Sequence, residues 1–310
     1  MKIAVTSRSF SANESLRNKL LEKYKDVSFN TTGERLSGAR LYDFLKEADG
    51  AIIGLEEMDR DLLQRLPRLK TISKYGVGLN NLDLEYMREK GINLGWSSGA
   101  NKRSVSELTL SNALSMLRQV PSSRELVKEG AWKQLTGRQL SEKTYGILGL
   151  GSIGQDLVKL LSPFNCSIIA FDIADRTEFS KENGVSLVTL EELFERSEVL
   201  SIHTPFDSST NSMVNYALLE LMGEESILIN TARGGIVNEL DLERWLRGRP
   251  TTCAAFDVLE IEPPVNNSLL ELDNFFLTPH IGGSSREAIL AMGEAAIKGL
   301  SQFVRIPGGH

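Results

Sequence analysis

Short apolar runs alternate with amphipathic stretches from the first residues onward, a pattern typical of strands that alternate with helices. In the first hundred residues this pattern predicts a small α/β unit. Its strands are expected at residues 2–6, 50–54, 70–73 and 91–94, and its helices at 14–24 and 59–66.

A long helical pattern follows over residues 102–128. Its apolar residues recur at roughly helical spacing: Leu108, Leu110, Ala113, Leu114 and Leu117. Pro121 is expected to end or kink the first stretch of this pattern. Ser104, followed three residues later by Glu107, resembles a capping box.

A second α/β series begins near residue 145, with helical segments between several of its strands, as parallel crossover units require. Its strands are expected at residues 145–148, 167–172, 198–205, 226–232, 251–258 and 274–280. Residues 284–304 are a candidate amphipathic helix, and the final RIPGGH is expected to be a loose tail. The sequence therefore predicts the α/β class, as one large domain or two modest ones.

The composition is that of an ordinary globular protein, with 41% hydrophobic and 25% charged residues. A formal net charge of −6 argues against a general nucleic-acid binder. The two cysteines, Cys166 and Cys253, lie in apolar runs, so we expect buried free thiols and neither a disulfide nor a metal site. No apolar run suits a signal peptide or a membrane span, which makes the cytoplasm the expected compartment.

One motif points to a cofactor. In GLGSIG, Gly149, Gly151 and Gly154 form the G-x-G-x-x-G pattern between an apolar strand and a helix, which is the dinucleotide fingerprint. Gly149 would permit the tight turn, Gly151 the approach of the pyrophosphate, and Gly154 close packing of helix on strand. Backbone N–H groups near Ser152 and Ile153 would bind the phosphate at the helix N-terminus. A glycine-rich turn without a ligand is the competing interpretation.

The strand after the fingerprint ends in Asp172, eighteen residues after Gly154. Its carboxylate is expected to accept hydrogen bonds from the adenosine ribose and to repel a 2′-phosphate, which favours NAD over NADP. Arg176 lies nearby and leaves NADP open.

Residues 227–237, ILINTARGGIV, run from an apolar strand into Arg233, Gly234 and Gly235. A guanidinium is always charged and is costly to bury without a partner. The segment indicates either an arginine whose guanidinium binds an anion at a strand end or a surface arginine in an ordinary loop.

Two histidines, His203 and His280, end predicted strands. His280 is the stronger functional candidate because it follows a proline, precedes two glycines, and has an acidic pair upstream, Asp257 and Glu262. Glu260 is a third carboxylate that could equally be solvated. Ligands of open α/β sheets bind beyond the carboxyl ends of the strands, where these residues are expected to converge.

These residue types suit hydride transfer to a carbonyl. Histidine can supply the proton that the developing alkoxide needs, and a carboxylate on its other nitrogen can hold the tautomer. Arg233 would bind a substrate carboxylate and polarise the adjacent carbonyl. Gly234 and Gly235 would admit the substrate and the cofactor.

The motifs GLGSIG, FD, HTPF, NTARGGIV, FDVLEIEPP and TPHIGG, in this order, resemble the D-isomer-specific 2-hydroxyacid dehydrogenases. That family includes phosphoglycerate dehydrogenase, glycerate/hydroxypyruvate reductase and formate dehydrogenase. The resemblance covers nearly the whole chain. It implies that Arg233 binds and polarises the substrate, that Glu262 orients His280, and that His280 is the acid/base.

The resemblance also implies contacts with NAD and with the substrate. Beyond the fingerprint, the implied cofactor residues are His203, Thr204, Pro205, Thr231, Ala232, Asp257, Gly282 and Gly283. The YGVG loop, which comprises Tyr75, Gly76, Val77 and Gly78, is expected to bind the substrate carboxylate through backbone N–H groups.

The family's architecture implies two Rossmann-like doubly wound parallel-sheet domains. The substrate-binding domain, residues 1–98 and 284–310, is discontinuous, and the dinucleotide-binding domain comprises residues 99–283. The catalytic cleft would lie between them and close during turnover. The long helix after residue 102 resembles the family's dimerisation arm, so we expect a homodimer.

The implied substrate is a small D-2-hydroxy acid or its 2-oxo acid, with 3-phosphoglycerate, glycerate/hydroxypyruvate and D-lactate-like acids in competition. Glu56 and Glu57 stand where phosphoglycerate-specific members tend to carry basic residues, which weakens a phosphorylated substrate. Lys74, Lys102 and Arg103 are either ligands for a second anion or solvated surface charges.

Other functions remain open on the sequence. The first is a dinucleotide-sensing binding protein like the family's transcriptional corepressors, which keep the same residues. The second is a family outlier acting on formate or phosphite, against which the Glu262–His280 pair argues. Asn80 replaces a usual acidic residue, which puts a loop hydrogen bond in doubt. We expect none of the extra regulatory domain that some phosphoglycerate dehydrogenases carry.

Overall fold

The computed structural model describes residues 1–307, so the last three residues of the predicted tail lie outside the described part. The chain divides into two compact units. One comprises Met1–Asn101 together with the segment that begins at Gly283, and the other comprises Lys102–Gly282.

The first unit is built on a five-stranded parallel sheet of order β2-β1-β3-β4-β5. Its strands are β1 (Ile3–Val5), β2 (Val27–Phe29), β3 (Gly50–Ile53), β4 (Thr71–Lys74) and β5 (Asn93–Gly95). Its helices are α1 (Arg8–Ala12), α2 (Glu14–Lys23), α3 (Gly38–Leu45), α4 (Arg60–Gln64), α5 (Leu84–Lys90) and, from the C-terminal segment, α13 (Arg286–Gly299).

Helices cover both faces of this sheet because side chains alternate along each strand. Ile3 and Val5 of β1 belong to a core with Leu16 of α2 and Met292 of α13. Ala4, between them, belongs to the opposite core, which is completed by α3, α4 and α5.

The second unit holds a seven-stranded parallel sheet of order β12-β11-β10-β9-β6-β7-β8. The strands are β6 (Thr144–Leu148), β7 (Ser167–Phe171), β8 (Val185–Leu187), β9 (Val199–Ile202), β10 (Ile227–Asn230), β11 (Cys253–Phe256) and β12 (Phe275–Leu277). The helices are α6 (Lys102–Leu117), α7 (Val120–Lys128), α8 (Ser152–Leu161), α9 (Thr177–Asn183), α10 (Leu190–Arg196), α11 (Tyr216–Leu221) and α12 (Glu239–Gly248), with 3₁₀ turns at Ser162–Phe164 and Ser268–Glu271.

The strand order of the second unit reverses next to β6. The chain goes from β6 to β7 and β8 on one side, then crosses back to place β9 on the other side of β6. This is the topological switch point at which open α/β sheets bind ligands. Both units confirm the predicted fold class, and each predicted strand overlaps an observed strand.

Several local predictions were wrong. Ser104 lies inside α6, which begins at Lys102, and its hydroxyl donates to the Gly282 carbonyl 2.6 Å away instead of capping the helix. The break predicted at Pro121 is present, however: α6 ends at Leu117, the φ of Gln119 is +52°, and Pro121 lies in the first turn of α7, where its missing N–H costs nothing. Cys166 and Cys253 are free thiols as predicted but half-buried rather than buried.

Candidate active site

The glycine fingerprint forms the turn between β6 and α8. Gly149 has a φ of +96°, and its N–H donates to the Phe171 carbonyl 2.8 Å away. Gly151 is the N-cap of α8, and no side chain among the described residues caps this helix. The first N–H groups of α8 are therefore available to an anion.

Gly149 and Gly154 lack a side chain for a different reason than Gly151 does. A Cβ at Gly154 would lie 2.3 Å from the Gly149 carbonyl oxygen, and a Cβ at Gly149 would lie 2.9 Å from the Thr204 nitrogen. A Cβ at Gly151 would meet no atom within 4 Å. Gly149 and Gly154 are thus fixed by packing within the unit, whereas Gly151 leaves open space that fits an approaching pyrophosphate.

Asp172, directly after β7, fixes the fingerprint turn. Its carboxylate accepts the Leu150 N–H at 2.7 Å and the Ala174 N–H at 2.8 Å, and Arg176 Nε lies 3.3 Å from its Oδ2. The carboxylate keeps lone pairs for a ribose, so that contact stays a prediction. Arg176, which the sequence left as a candidate for NADP, is paired with Asp172.

The segment after β9 carries buried polar atoms that lack partners. His203 Nε2 lies 2.8 Å from the Ser201 hydroxyl, while His203 Nδ1 and Thr204 Oγ1 are buried without a hydrogen-bond partner among residues 1–307. Burial lowers the pKa of His203 to about 3, so its ring is neutral at physiological pH. Unpaired buried atoms at the switch point fit a cofactor that supplies their missing bonds. Pro205 follows and is exposed.

Asn230 shapes the turn that presents Arg233. Its side chain accepts a hydrogen bond from the Ala232 N–H at 3.0 Å and donates one to the Arg233 carbonyl at 2.9 Å. The hydroxyl of Thr231 forms a 2.8 Å hydrogen bond with the hydroxyl of Thr109 in α6. The guanidinium donates to the Ala232 carbonyl, 2.6 Å from Nη1. Burial lowers the Arg233 pKa, and the negative charge of Glu262 opposes this effect.

The two glycines after Arg233 do not act as the sequence suggested. A Cβ at Gly234 would lie 2.0 Å from the Leu259 carbonyl oxygen, and Gly235 combines a φ of +80° with the Phe206 ring 2.8 Å from its would-be Cβ. They lack side chains because other parts of this unit pack against them, rather than to admit substrate and cofactor. As a result, the Arg233 turn lies directly against the chain that leads to Glu262.

Glu262 and His280 form a hydrogen-bonded pair. Glu262 Oε2 lies 2.6 Å from His280 Nδ1, and Oε1 accepts the Leu259 N–H at 3.0 Å. Burial would raise the Glu262 pKa, but the His280 hydrogen bond and charge, the Leu259 N–H and the Arg233 charge together lower it. An ionised carboxylate only accepts, so the proton of the pair lies on Nδ1.

His280 is held in an uncommon backbone conformation, with a φ of +53°. Such a conformation costs free energy and is concentrated at functional sites. The ring is half-exposed, and Nε2 has no hydrogen-bond partner within the described chain. This nitrogen is therefore available to exchange a proton with a ligand.

Asp257 accepts hydrogen bonds from the loop that contains His280 and does not pair with the His280 ring. It is 1% exposed, and its carboxylate accepts the Thr278 hydroxyl at 2.5 Å and the N–H groups of Ile281 and Gly282 at 2.8 and 2.7 Å. Of the carboxylates considered in the sequence, Glu262 is the partner of His280, and Glu260 is exposed. A contact of Asp257 with the nicotinamide stays a prediction.

Helix α6 supplies positioning residues that the sequence reasoning missed. Ser104 bonds to the Gly282 carbonyl, Thr109 to Thr231, and the Ser106 hydroxyl to the Ile153 carbonyl at 3.3 Å. One helix thus touches the His280 loop, the Arg233 turn and the fingerprint helix. The small hydroxyl residues along a helix were the available signal, but their partners depend on tertiary structure.

The predicted carboxylate loop lies in the first unit, as does Gly283, and directly follows β4. Gly76 has a φ of +130°, and the Val77 carbonyl accepts the Trp96 indole N–H at 3.0 Å. The backbone N–H groups of Gly76, Val77 and Gly78 donate no hydrogen bond within residues 1–307. Consecutive free N–H groups of this kind suit an anion.

The three basic candidates for a second anion differ. Lys74 is 4% exposed, so its interpretation as a solvated surface charge was wrong, and its ammonium donates to Asn81 Oδ1 at 2.6 Å. Arg103 donates to Asp156 at 3.1 Å. Lys102 is exposed at the first position of α6.

Residues 1–307 hold neither a metal-binding cluster nor a membrane-crossing helix. They contain no group of three or more His, Cys, Asp or Glu side chains placed to hold a metal ion. They also contain no helix with the length and apolar character that a membrane crossing requires.

Comparison with known proteins decides the family. Residues 110–282 match the family model described as D-isomer specific 2-hydroxyacid dehydrogenase, NAD binding domain. The chain belongs to the D-isomer specific 2-hydroxyacid dehydrogenase family. These proteins are NAD-dependent oxidoreductases, which confirms the predicted enzyme class and NAD as the cofactor.

Three members of the 2-hydroxyacid dehydrogenase family illustrate the similarity. The D-3-phosphoglycerate dehydrogenase of Methanocaldococcus jannaschii is 35% identical over 291 residues, which cover 93% of this chain and 55% of that protein. The hydroxypyruvate reductase of Thermotoga maritima is 35% identical over 263 residues, covering 83% and 85%. The D-lactate dehydrogenase of Aquifex aeolicus, solved with NAD and lactic acid, is 26% identical with a TM-score of 0.83 over 96% and 93% of the two chains. The chain thus spans little more than half of the first of these relatives.

Proposed function

We propose that this 2-hydroxyacid dehydrogenase interconverts a small D-2-hydroxy acid and its 2-oxo acid, with His280 as the acid/base. The observation that carries the proposal is the 2.6 Å Glu262–His280 pair beside the half-buried Arg233. The names of the relatives favour 3-phosphoglycerate or glycerate/hydroxypyruvate as the substrate pair. D stereospecificity rests on family membership alone.

In this proposal NAD, when bound, supplies the hydride acceptor or donor. It would lie at the fingerprint turn, where Gly151 leaves open space and the α8 N–H groups are free, and along the segment that contains His203 and Thr204. The remaining cofactor contacts predicted from the sequence, including Thr231, Ala232 and Gly282, are part of the proposal.

The acid/base role follows from the tautomer of His280. Glu262 accepts a hydrogen bond from the His280 Nδ1–H. For this reason Nε2 is the nitrogen that gives a proton to the alkoxide during reduction and takes one from the hydroxyl during oxidation. The Glu262 carboxylate stabilises the imidazolium that forms in the oxidative direction. Arg233, weakly solvated beside this pair, would bind the substrate carboxylate and polarise the carbonyl.

We propose that the loop 75–78 contributes to carboxylate binding through the free N–H groups of Gly76, Val77 and Gly78. Helix N-termini and consecutive backbone N–H groups bind carboxylates without a neighbouring cation. The loop would therefore recognise the feature that all 2-oxo acids share, and the remainder of the substrate would be selected elsewhere.

We further propose a homodimer that forms through the segment around α7. No residue of α7 is buried, and Val120, Val127 and the following Trp132 are 51%, 54% and 89% exposed. Apolar side chains left open in this way are typical of an interface. The cytoplasm remains the proposed compartment, supported by two free thiols, as is usual where thiols stay reduced.

The test is NADH oxidation with a panel of 2-oxo acids: 3-phosphohydroxypyruvate, hydroxypyruvate, glyoxylate, pyruvate, 2-oxoglutarate and longer acids. We expect kcat/KM above roughly 10⁴ M⁻¹s⁻¹ on at least one member. His280→Ala should abolish reduction and leave the NADH Kd nearly unchanged. Tight NADH binding with near-zero rates on every acid would favour the dinucleotide-sensing alternative.

A further inference from the structure

A buried lysine precedes the proposed carboxylate loop. Lys74 is the last residue of β4 and is 4% exposed. Its ammonium donates to the Gly54 carbonyl and to Asn81 Oδ1. A buried ammonium is costly unless it is hydrogen-bonded, so these contacts fix both the side chain and its partners in place.

The Lys74–Asn81 contact closes the loop between them. Residues 75–80 lie between the two partners in sequence, and the side chains meet at 2.6 Å. The Asn81 amide in turn donates to the Gly54 carbonyl at 3.2 Å and to the Glu56 carbonyl at 2.5 Å. Both ends of the loop are therefore tied to the end of β3.

A buried carboxylate completes the arrangement. Glu56 is 2% exposed and accepts the Thr6 hydroxyl at 2.6 Å and the Gly54 N–H at 2.8 Å. Glu56 and Lys74 thus bond to the same residue, Gly54, and carry opposite charges. One hydrogen-bonded cluster therefore lies where β1, β3 and β4 end, and it comprises Thr6, Gly54, Glu56, Lys74 and Asn81.

The Lys74 side chain also approaches the loop itself. A Cβ at Gly76 would lie 3.7 Å from Lys74 Cε, so the lysine stem lies directly against the first glycine of the loop. From the other side, the Trp96 indole holds the Val77 carbonyl. The loop that carries the three free N–H groups is therefore fixed between Lys74 and Trp96.

We propose that Lys74 is a positioning residue, which holds the loop 75–78 closed through Asn81 so that its N–H groups can bind a substrate carboxylate. In this role Lys74 does not recognise a substrate phosphate, the alternative that the sequence left open. The inference rests on the proposed function, because it assigns the loop to the substrate carboxylate.

Steady-state kinetics of Lys74→Met separates the two roles. If Lys74 positions the loop, KM should rise by roughly 10- to 100-fold for hydroxypyruvate and 3-phosphohydroxypyruvate alike, with kcat and the NADH Kd little changed. Lys74→Arg should recover part of the lost affinity. The matched control is Lys70→Met, which removes an exposed lysine just before β4 and should behave as wild type. A loss confined to the phosphorylated acid, or no change in KM, would overturn the proposal.

A second pair of variants separates positioning from stability. Lys74→Met removes the ammonium bonded to the Gly54 carbonyl while the buried Glu56 side chain stays bonded to the Gly54 N–H, and we expect the thermal midpoint to fall. The double variant with Glu56→Gln should recover the midpoint while KM stays raised, and Asn81→Ala should raise KM with both charges present. If the double variant recovered both the thermal midpoint and the wild-type KM, Lys74 would act only on stability, and the proposal would be contradicted.

Hydrogen exchange of residues 75–82 tests the loop without turnover. In the absence of substrate, amide exchange in this segment should be faster in Lys74→Met and Asn81→Ala than in wild type and Lys70→Met. Unchanged exchange would refute the loop-closing contact. If the wild type reduced no acid on the panel while exchange changed as expected, the proposed function would fail and the role of Lys74 in the loop would stand.

Discussion

Gly234 lies against the backbone of Leu259 so closely that a Cβ at Gly234 would be 2.0 Å from the Leu259 carbonyl oxygen. The N–H of the same Leu259 donates to Glu262, and Gly234 directly follows Arg233. This backbone contact therefore sets the distance between Arg233, proposed to bind substrate, and Glu262, proposed to orient the acid/base.

Gly234→Ala should damage activity far more than a surface glycine variant would. The new methyl group cannot be accommodated unless the Arg233 turn or the Leu259 chain moves, and overpacking of this kind typically costs 1–3 kcal/mol. We expect kcat/KM to fall by roughly 100-fold or more, because shifts of about an ångström in reacting groups have effects of that size. Gly248→Ala, where a Cβ would meet nothing within 4 Å, is the matched control. Full activity of Gly234→Ala would show that the contact does not hold the site.

Glu262→Gln should lower kcat with little effect on NADH binding. A neutral amide cannot stabilise the imidazolium and can favour the wrong tautomer, so we expect a loss of roughly 10²- to 10⁴-fold in kcat. Parallel kinetics and NADH titrations provide the measurement. Equal losses in kcat and in NADH affinity would argue against an orienting role.

The same variant has a predicted pH signature. The pKa of Glu262 is lowered in the folded protein, so its contribution to stability is present above the ordinary value of 4.5 and is lost as pH falls through the folded pKa. Thermal midpoints measured from pH 5 downward should therefore fall less steeply in Glu262→Gln than in wild type.

Much of the site could be predicted because its signals are local. The spacing of Gly149, Gly151 and Gly154 after an apolar strand, and the placement of Arg233 and His280 at strand ends, are visible within a few residues. The short strands β2 and β8 were missed; each is three residues long and has a serine at its centre, so neither forms an apolar run.

The remainder depends on residues far apart in sequence. Gly234 is a glycine because of Leu259, and Lys74 is buried because of Gly54 and Asn81, so neither environment follows from neighbouring residues. Likewise, sequence order alone could not distinguish Asp257, which braces the loop, from Glu262, which pairs with His280.

The fingerprint glycines offer a paired test of packing against ligand binding. Gly154→Ala should lower stability by about 1–3 kcal/mol, because its Cβ would lie 2.3 Å from the Gly149 carbonyl oxygen. Gly151→Ala should keep the wild-type thermal midpoint, since its Cβ enters open space, yet should weaken NADH binding at least tenfold by obstructing the pyrophosphate. Denaturant unfolding and NADH titration of both variants would check this. An unchanged NADH Kd in Gly151→Ala would mean that the cofactor does not approach this residue.

The α7 segment should determine the oligomeric state. Light scattering of the wild type is expected to give twice the chain mass, and Val127→Asp with Trp132→Asp should give the monomer, because charges then replace two exposed apolar side chains. Leu240→Asp, at an apolar residue of α12 that is 78% exposed, is the control and should stay dimeric. A monomeric wild type, or a double variant that remains dimeric, would rule out this interface.

His203 should make the protein lose stability in mildly acidic solution. Its folded pKa is about 3 against an ordinary 6.5, because burial disfavours the charged ring. Below pH 6.5 the His203 ring is therefore protonated in the unfolded chain but stays neutral in the folded chain. The free energy of unfolding falls by up to about 1.4 kcal/mol for each pH unit until the pH reaches the folded pKa. In His203→Gln, which can keep a hydrogen bond to Ser201, the free energy of unfolding should depend less steeply on pH between 6.5 and 4. Denaturant titrations of both proteins across this range provide the measurement, and identical slopes would show that the His203 ring is charged in the folded state.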